Sequence, residues 1–96
     1  MMEVVFREGA RADLRNILGW FRDRKDGSAA CFEAAFEAEL DLLRQHPGGN
    51  QLRRAPYRFA LVDRFKYVII YAVVGKVVVV HRVRHAHQRP LERYAG

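Results

Sequence analysis

The chain contains little cysteine or tryptophan. Among its 96 residues there is one of each, Cys31 and Trp20. A single cysteine excludes an intramolecular disulfide, which suits the reducing cytoplasm where we expect this protein. Both residues fall within predicted helices, where we interpret Cys31 as a small core residue and Trp20 as packing beside Phe21. Neither is assigned a function.

The sequence also lacks a run long enough to span a membrane. Its most apolar stretches are residues 68–74 and 77–80, which Gly75 and Lys76 separate. A transmembrane helix needs about 20 apolar residues, so neither stretch crosses a bilayer. The N-terminal residues show no basic segment followed by an apolar one, so we expect no export signal.

Acidic residues are scarce in the second half of the chain. Residues 1–50 hold 7 Lys/Arg and 9 Asp/Glu, a net charge of −2, whereas residues 51–96 hold 10 and 2, a net charge of +8. Such a basic half usually marks a surface that meets phosphate or an acidic protein. The alternative is a solvated surface that only improves solubility.

The hydrophobic pattern predicts one domain, residues 1–96, of the α+β class. Apolar residues recur at helical spacing in residues 10–24 and 29–45, with Ser28 as the predicted N-cap of the second helix. Short or alternating apolar stretches predict strands over residues 2–7, 57–62, 65–73 and 77–84. The predicted order is β-α-α-β-β-β, with a helical hairpin packed on a small, mostly antiparallel sheet.

The last predicted strand changes from four valines into a cluster of arginines and histidines. If its Val77, Val79 and Val83 face packs on the helices, His81 is a partly buried structural histidine. Arg82 and Arg84 then face outward, and Arg58 on another strand joins them in a basic row suited to phosphate.

The residue types of this cluster point to two kinds of chemistry, metal binding and RNA cleavage. His85 and His87 share a strand face, but a zinc site needs three or four ligands and no third one lies nearby, so we expect no metal and no cofactor. Cleavage of RNA needs a proton acceptor, a proton donor and a cation beside the phosphate. The residues with that chemistry are His85, His87, Arg84, Arg89 and Tyr94.

The chain resembles the RelE/ParE superfamily of type II toxins over nearly its whole length. The resemblance lies in Ala12-Asp13-Leu14, in residues 34–48, in Arg53-Arg54, in Tyr67–Val73, in Val83-Arg84-His85 and in Arg89-Pro90. It implies a plasmid or chromosomal toxin that an antitoxin neutralises in a hetero-oligomer, by lying across its helices and sheet.

The superfamily has two branches with different targets. RelE-like toxins cleave mRNA in the ribosome, whereas ParE-like toxins have no nuclease activity and poison DNA gyrase. RelE-like members carry an arginine directly after the strand tyrosine, where this chain has Val68, so the resemblance implies the ParE-like branch. Arg89 and Tyr94 match RelE-like tail positions and keep the mRNA endonuclease as the alternative.

If the chain is ParE-like, we expect the basic cluster to contact the target and to steer its approach electrostatically, and not to carry out covalent chemistry. The residues expected to contact the target are Arg58, Arg82, Arg84, His85, His87 and Arg89.

Overall fold

Two helices follow the first strand, and four further strands follow the helices. The structure, a computed structural model, describes residues 2–50, 52–62 and 64–87. Its elements are β1 (Glu3–Phe6), α1 (Glu8–Arg24), α2 (Ser28–Gln45), β2 (Leu52–Arg54), β3 (Tyr57–Val62), β4 (Tyr67–Val74) and β5 (Val77–His85).

The strands form one mixed sheet in the order β1-β5-β4-β3-β2. Strand β1 runs parallel to β5, and the other neighbours are antiparallel, so the predicted α+β fold with a mostly antiparallel sheet is confirmed. The most apolar strand, β4, occupies the centre as its composition predicts. Strand β2 was not predicted, because three residues are too few to show an alternating pattern.

A tight turn joins the two helices. Lys25 adopts a left-handed conformation with φ 55° and ends α1, and Gly27, with φ 82°, precedes α2. Glycine suits that position because it has no Cβ to clash. Ser28 is therefore the first helical residue and not the predicted cap. Its backbone N–H donates to the Asp26 carboxylate at 3.0 Å, and hydrogen bonds from Ser28 lower the pKa of Asp26 to about 2.

The core lies between the helices and one face of the sheet. Phe21 and Phe32 stack with their ring centroids 5.2 Å apart, and Phe36 continues the stack 5.8 Å beyond Phe32. Burying each such ring contributes up to about 3 kcal/mol relative to leaving it exposed. Cys31 is exposed, so its predicted place in the core is wrong. It lies on the outer side of α2, one residue before Phe32.

Strand β5 contains a bulge at His81. Ile70 of β4 pairs with Arg82, but the next residue, Tyr71, pairs with Val80. The extra residue reverses the alternation of side chains, so that both Val80 and Val83 reach the core. The predicted packing face of Val77, Val79 and Val83 is therefore wrong before the bulge, where Val78 and Val80 are the core residues. His81 itself is buried, as predicted, and its ring lies 5.1 Å from the ring of Tyr57.

Candidate functional site

His85 ends β5 opposite Tyr67, the first residue of β4. The two rings meet edge to face with their centroids 5.1 Å apart. The backbone N–H of His87 donates to Nδ1 of His85 at 3.2 Å. The backbone N–H of Ala86 donates to the carbonyl of Lys66 at 2.7 Å. These hydrogen bonds hold the end of β5 against the β3–β4 turn.

Arg84 and His85 lie on opposite faces of the sheet. Arg84 pairs with Val68, and the neighbouring pair, Val83 and Ile69, belongs to the core. Because side chains alternate along a strand, the Arg84 side chain leaves β5 on the face opposite to that of Val83. Arg84 and His85 both border a cleft beside α1 at the end of this strand. Val68 is therefore the cross-strand neighbour of Arg84.

Arg82 is held by the first helix. Its Nε and Nη2 donate to the two carboxylate oxygens of Asp13 at 2.7 and 2.9 Å, and the backbone N–H of Val83 donates to the same carboxylate at 2.9 Å. The hydrogen bond to Asp13 raises the pKa of Arg82. Arg82 was predicted to face outward beside Arg84. The bulge and the acid on α1 direct it to the helix instead, so that prediction is wrong.

Arg58 lies in a separate network around the loop between α2 and β2. Its Nη1 donates to the carbonyl of Asn50 at 2.6 Å. Across the strand pair, the Tyr71 hydroxyl donates to the carbonyl of Pro47 at 2.9 Å and accepts a hydrogen bond from Nδ2 of Asn50 at 3.2 Å. Burial raises the pKa of Tyr71. Arg58 therefore does not join Arg84 in the basic row that the sequence predicted.

The predicted site residues thus fall into three groups. Arg84, His85 and His87 are neighbours at the end of β5, Arg82 pairs with α1, and Arg58 supports a loop. Two of the predicted residues, Arg89 and Tyr94, lie outside the described residues. Within the described ranges, no three His, Cys, Asp or Glu side chains come together as metal ligands, and no helix is long and apolar enough to cross a membrane.

Trp20 is a feature that the sequence prediction missed. It packs edge-on against Phe21, with centroids 5.0 Å apart, yet 56% of the residue is exposed. Two clefts, of about 310 and 350 Å³, flank it, and both also border Tyr67 and His85. Trp20 stands beside, and not on, the apolar stripe of α1 that runs from Leu14 to Phe21. This position in the sequence could have indicated that Trp20 is exposed.

Two solved toxin–antitoxin systems contain a similar fold, a helical hairpin on a mixed sheet, and place the chain in their structural class. A chromosomal ParDE toxin–antitoxin system from P. aeruginosa matches with a TM-score of 0.69 and 19% identity, covering 91% of this chain and 98% of that one. The toxin–antitoxin complex RelBE2 from Mycobacterium tuberculosis matches with a TM-score of 0.60 and 27% identity, covering 88% and 96%.

The sequence identifies the family within this class. Residues 4–90 match the family model described as the ParE toxin of the type II toxin–antitoxin system parDE. The chain therefore belongs to the ParE toxin family, and the predicted membership of the RelE/ParE superfamily, on its ParE-like branch, is confirmed. The comparison with curated proteins gave no match.

Proposed function

We propose that this chain is a toxin that stops growth by poisoning DNA gyrase in the cytoplasm and that a cognate antitoxin neutralises it in a hetero-oligomer. The observation that carries the proposal is the family match, which extends from β1 to beyond the end of β5. The two structural neighbours, whose descriptions name a toxin–antitoxin system and a toxin–antitoxin complex, support an antitoxin partner.

The geometry supports a contact role for the end of β5. Arg84, half-buried, and His87, exposed, lie on either side of His85 in the sequence, where the sheet ends. A basic edge of this kind accelerates association with an acidic surface on a partner protein. We assign target contact to Arg84, His85 and His87, and we extend it to Arg89, which lies outside the described residues.

Arg58 and Arg82 have a supporting role in this proposal. Both donate short hydrogen bonds within the chain, to the carbonyl of Asn50 and to the carboxylate of Asp13. A cation that is already paired at hydrogen-bond distance gains less from a second anionic partner than a cation that faces water. Their contribution to target binding therefore comes through the loop and the helix that they hold.

One observation favours the second candidate function, a RelE-like mRNA endonuclease. His85 and Tyr67 are in ring contact and border the same cleft, which brings together an imidazole and a phenol, two kinds of group that general acid–base cleavage uses. Against it, Val68 occupies the position where RelE-like toxins carry an arginine, and residues 4–90 match the ParE toxin family model. The gyrase proposal therefore stands first.

The experiment that separates the two candidates measures gyrase and mRNA in parallel. The chain is induced alone, and we expect growth to stop and double-strand breaks to appear where gyrase is trapped on DNA. A ribosome-dependent translation reaction receives the same purified protein, and we expect its mRNA to remain intact. Cleaved mRNA with undamaged DNA would replace the gyrase proposal with the nuclease.

A double variant, His85→Ala with His87→Ala, tests the role of the histidines. In the gyrase proposal it weakens binding to gyrase without changing any mRNA. In the nuclease alternative it abolishes cleavage while ribosome binding persists. Cleavage retained by the double variant would remove both histidines from a nuclease mechanism.

A further inference from the structure

Three cations adopt a backbone conformation that normally favours glycine. Within the described ranges, the non-glycine residues with a positive φ are Lys25 (φ 55°), Arg64 (φ 70°) and Lys66 (φ 57°). A residue with a Cβ is strained in this left-handed region, where glycine fits without strain and asparagine or aspartate is the usual substitute. All three residues are exposed, and we call them the turn cations. Each keeps a positive charge at a conformational cost.

The local structure accounts for the residue type at one of these three positions. Lys25 ends α1, and the helix dipole stabilises a cation at the C-terminal end of a helix. Arg64 and Lys66 lie in the β3–β4 turn, which joins two strands and has no helix dipole. Backbone strain of this kind is concentrated at functional sites. The conformation of Arg64 and Lys66 therefore indicates that their charge has a role.

Tertiary contacts fix the backbone of the β3–β4 turn. Phe65, between the two cations, packs edge to face against Phe21 and Phe32, with ring centroids 5.5 and 5.4 Å apart. The carbonyl of Lys66 accepts the backbone N–H of Ala86 at 2.7 Å. The turn therefore presents its two cations from a fixed backbone, while its aromatic residue packs against the core.

The turn cations adjoin the end of β5. Arg24, next to Lys25, borders the same cleft of about 350 Å³ as Arg64, so the turn between the helices lies beside the β3–β4 turn. The cleft that Arg84 borders has His85 in common with this one. The turn cations therefore extend the surface that we assign to target contact.

The turn cations are not neutralised by ion pairs. Within the described part of the chain, no carboxylate forms an ion pair with any of the three. Two acids lie nearby: Asp26 pairs with Arg24 at 3.1 Å, and Glu39 borders a cleft with Arg64 without an ion pair between them. Asp63, the remaining acid of the β3–β4 turn, lies outside the described residues. This end of the molecule therefore offers positive charge to an anionic partner.

The chemistry of these turns favours a phosphate backbone over a protein surface. Protein interfaces depend mainly on a few large side chains that become buried, and Phe65, the aromatic residue of the β3–β4 turn, already packs against the core. Binding to a nucleic acid without sequence preference needs only lysines and arginines that displace the counterions of the phosphates. The net charge of +6 and the isoelectric point of about 10.1 are typical of chains that bind nucleic acid.

We propose that the turn cations bind the phosphodiester backbone of duplex DNA, and that in the poisoned complex they bind the DNA segment that gyrase holds. The second part rests on the proposed function, whereas binding to free DNA does not. A chain that contacts gyrase through the end of β5 and DNA through the adjoining turns connects the two. Such a connection slows the release of DNA from gyrase.

The first test measures binding of the full chain to a fluorescein-labelled DNA duplex by fluorescence anisotropy at several salt concentrations. We expect the affinity to fall as the salt concentration rises, because binding releases counterions. Arg64→Gln and Lys66→Gln should each reduce the slope of log affinity against log salt concentration by about 1. The matched control is Lys76→Gln, which removes an exposed lysine from the turn at the opposite end of β4 and should leave the slope unchanged.

A glycine variant separates the charge of the turn from its conformation. The double substitution Arg64→Gly with Lys66→Gly relieves the left-handed strain and removes both charges. We expect its urea midpoint to be at least that of the wild-type chain, while its affinity for DNA falls at least about tenfold at low salt. A lower midpoint together with unchanged DNA binding would overturn the proposal, because the two residues would then serve only the structure of the turn.

Three further outcomes would reject the assignment to DNA. One is a wild-type chain that does not bind the duplex at low salt, and another is an equal loss of affinity in Lys66→Gln and Lys76→Gln. The third is tighter binding to single-stranded RNA than to the duplex, which would support the nuclease alternative.

A supercoiling reaction with the glycine variant distinguishes this proposal from the proposed function. We expect the variant to inhibit gyrase less than the wild-type chain does. Full inhibition by a variant that no longer binds DNA would remove DNA contact from the poisoning mechanism and leave the proposed function in place. Supercoiling that the wild-type chain does not affect would contradict the proposed function, whereas the loss of affinity for free DNA in the variants would still support DNA binding by the turn cations.

Discussion

Asp13 on α1 and Arg82 on β5 form a two-point ion pair, with N–O distances of 2.7 and 2.9 Å, across 69 residues of sequence. The same carboxylate accepts the backbone N–H of Val83 at 2.9 Å. Asp13→Ala leaves the guanidinium and this N–H without their acceptor in a partly buried place. We expect a loss of about 2 kcal/mol in the free energy of unfolding, measured by urea denaturation.

The control for this prediction is Asp41→Ala. Asp41 also pairs with an arginine, Arg44, at 2.6 Å, but 62% of its side chain is exposed. Surface pairs contribute little, so the expected loss is less than about 1 kcal/mol. Equal losses in the two variants would show that the Asp13 pair is only a surface contact.

Two glycines of α1 provide a matched pair of substitutions. A Cβ at Gly9 would lie 2.9 Å from Cδ of Arg82, whereas a Cβ at Gly19 meets nothing within 4 Å. Alanine favours a helix interior over glycine by about 1 kcal/mol, so Gly19→Ala should stabilise the fold by up to that amount. Gly9→Ala should gain less or lose stability, because Arg82 must shift. Thermal unfolding of both variants makes the comparison, and an equal gain would show that Arg82 moves without cost.

Tyr71 gives a pH-dependent prediction. Burial raises the pKa of its hydroxyl above the ordinary value of 10.0, so the unfolded chain ionises first as the pH rises. The stability that comes from this group is full below pH 10 and is lost as the pH rises through the folded-state pKa. Tyr71→Phe should lower the free energy of unfolding by about 1 kcal/mol at pH 8, because the substitution removes the hydrogen bond to the Pro47 carbonyl.

The same variant should lose less stability than the wild-type chain between pH 8 and pH 10.5. Urea midpoints at both pH values for the two chains provide the measurement. If both chains lose the same stability between the two pH values, the Tyr71 hydroxyl does not contribute to alkaline unfolding.

The hydrophobic pattern was sufficient to predict both helices and the strands β1, β3, β4 and β5, but not β2. The Tyr57–Val62 strand has the predicted bounds, and α2 begins one residue from its predicted start. The continuous apolar run of β4 and the apolar stripes of α1 and α2 indicate which parts of the chain are buried, because burial depends strongly on residue type. The central place of β4 agrees with its apolar composition, whereas the packing face of β5 before the bulge was predicted wrongly.

The candidate site was less predictable, because it depends on long-range contacts. The bulge at His81 changes the sheet face on which every later side chain of β5 lies, and no residue type at that position indicates a bulge. The ion pair of Arg82 depends on Asp13, which is distant in sequence. The exposure of Trp20 depends on where β5 and the β3–β4 turn end beside α1. Only the contiguous group at Arg84 and His85 could be found from sequence alone.

The most direct test of the proposed function is a supercoiling reaction with purified gyrase, relaxed plasmid and increasing amounts of this chain. We expect supercoiling to fall with dose, linear plasmid to appear after protease treatment, and both effects to disappear when the antitoxin is added first. Complete supercoiling at every dose, with mRNA cleaved by the same preparation in a ribosome-dependent reaction, would contradict the account.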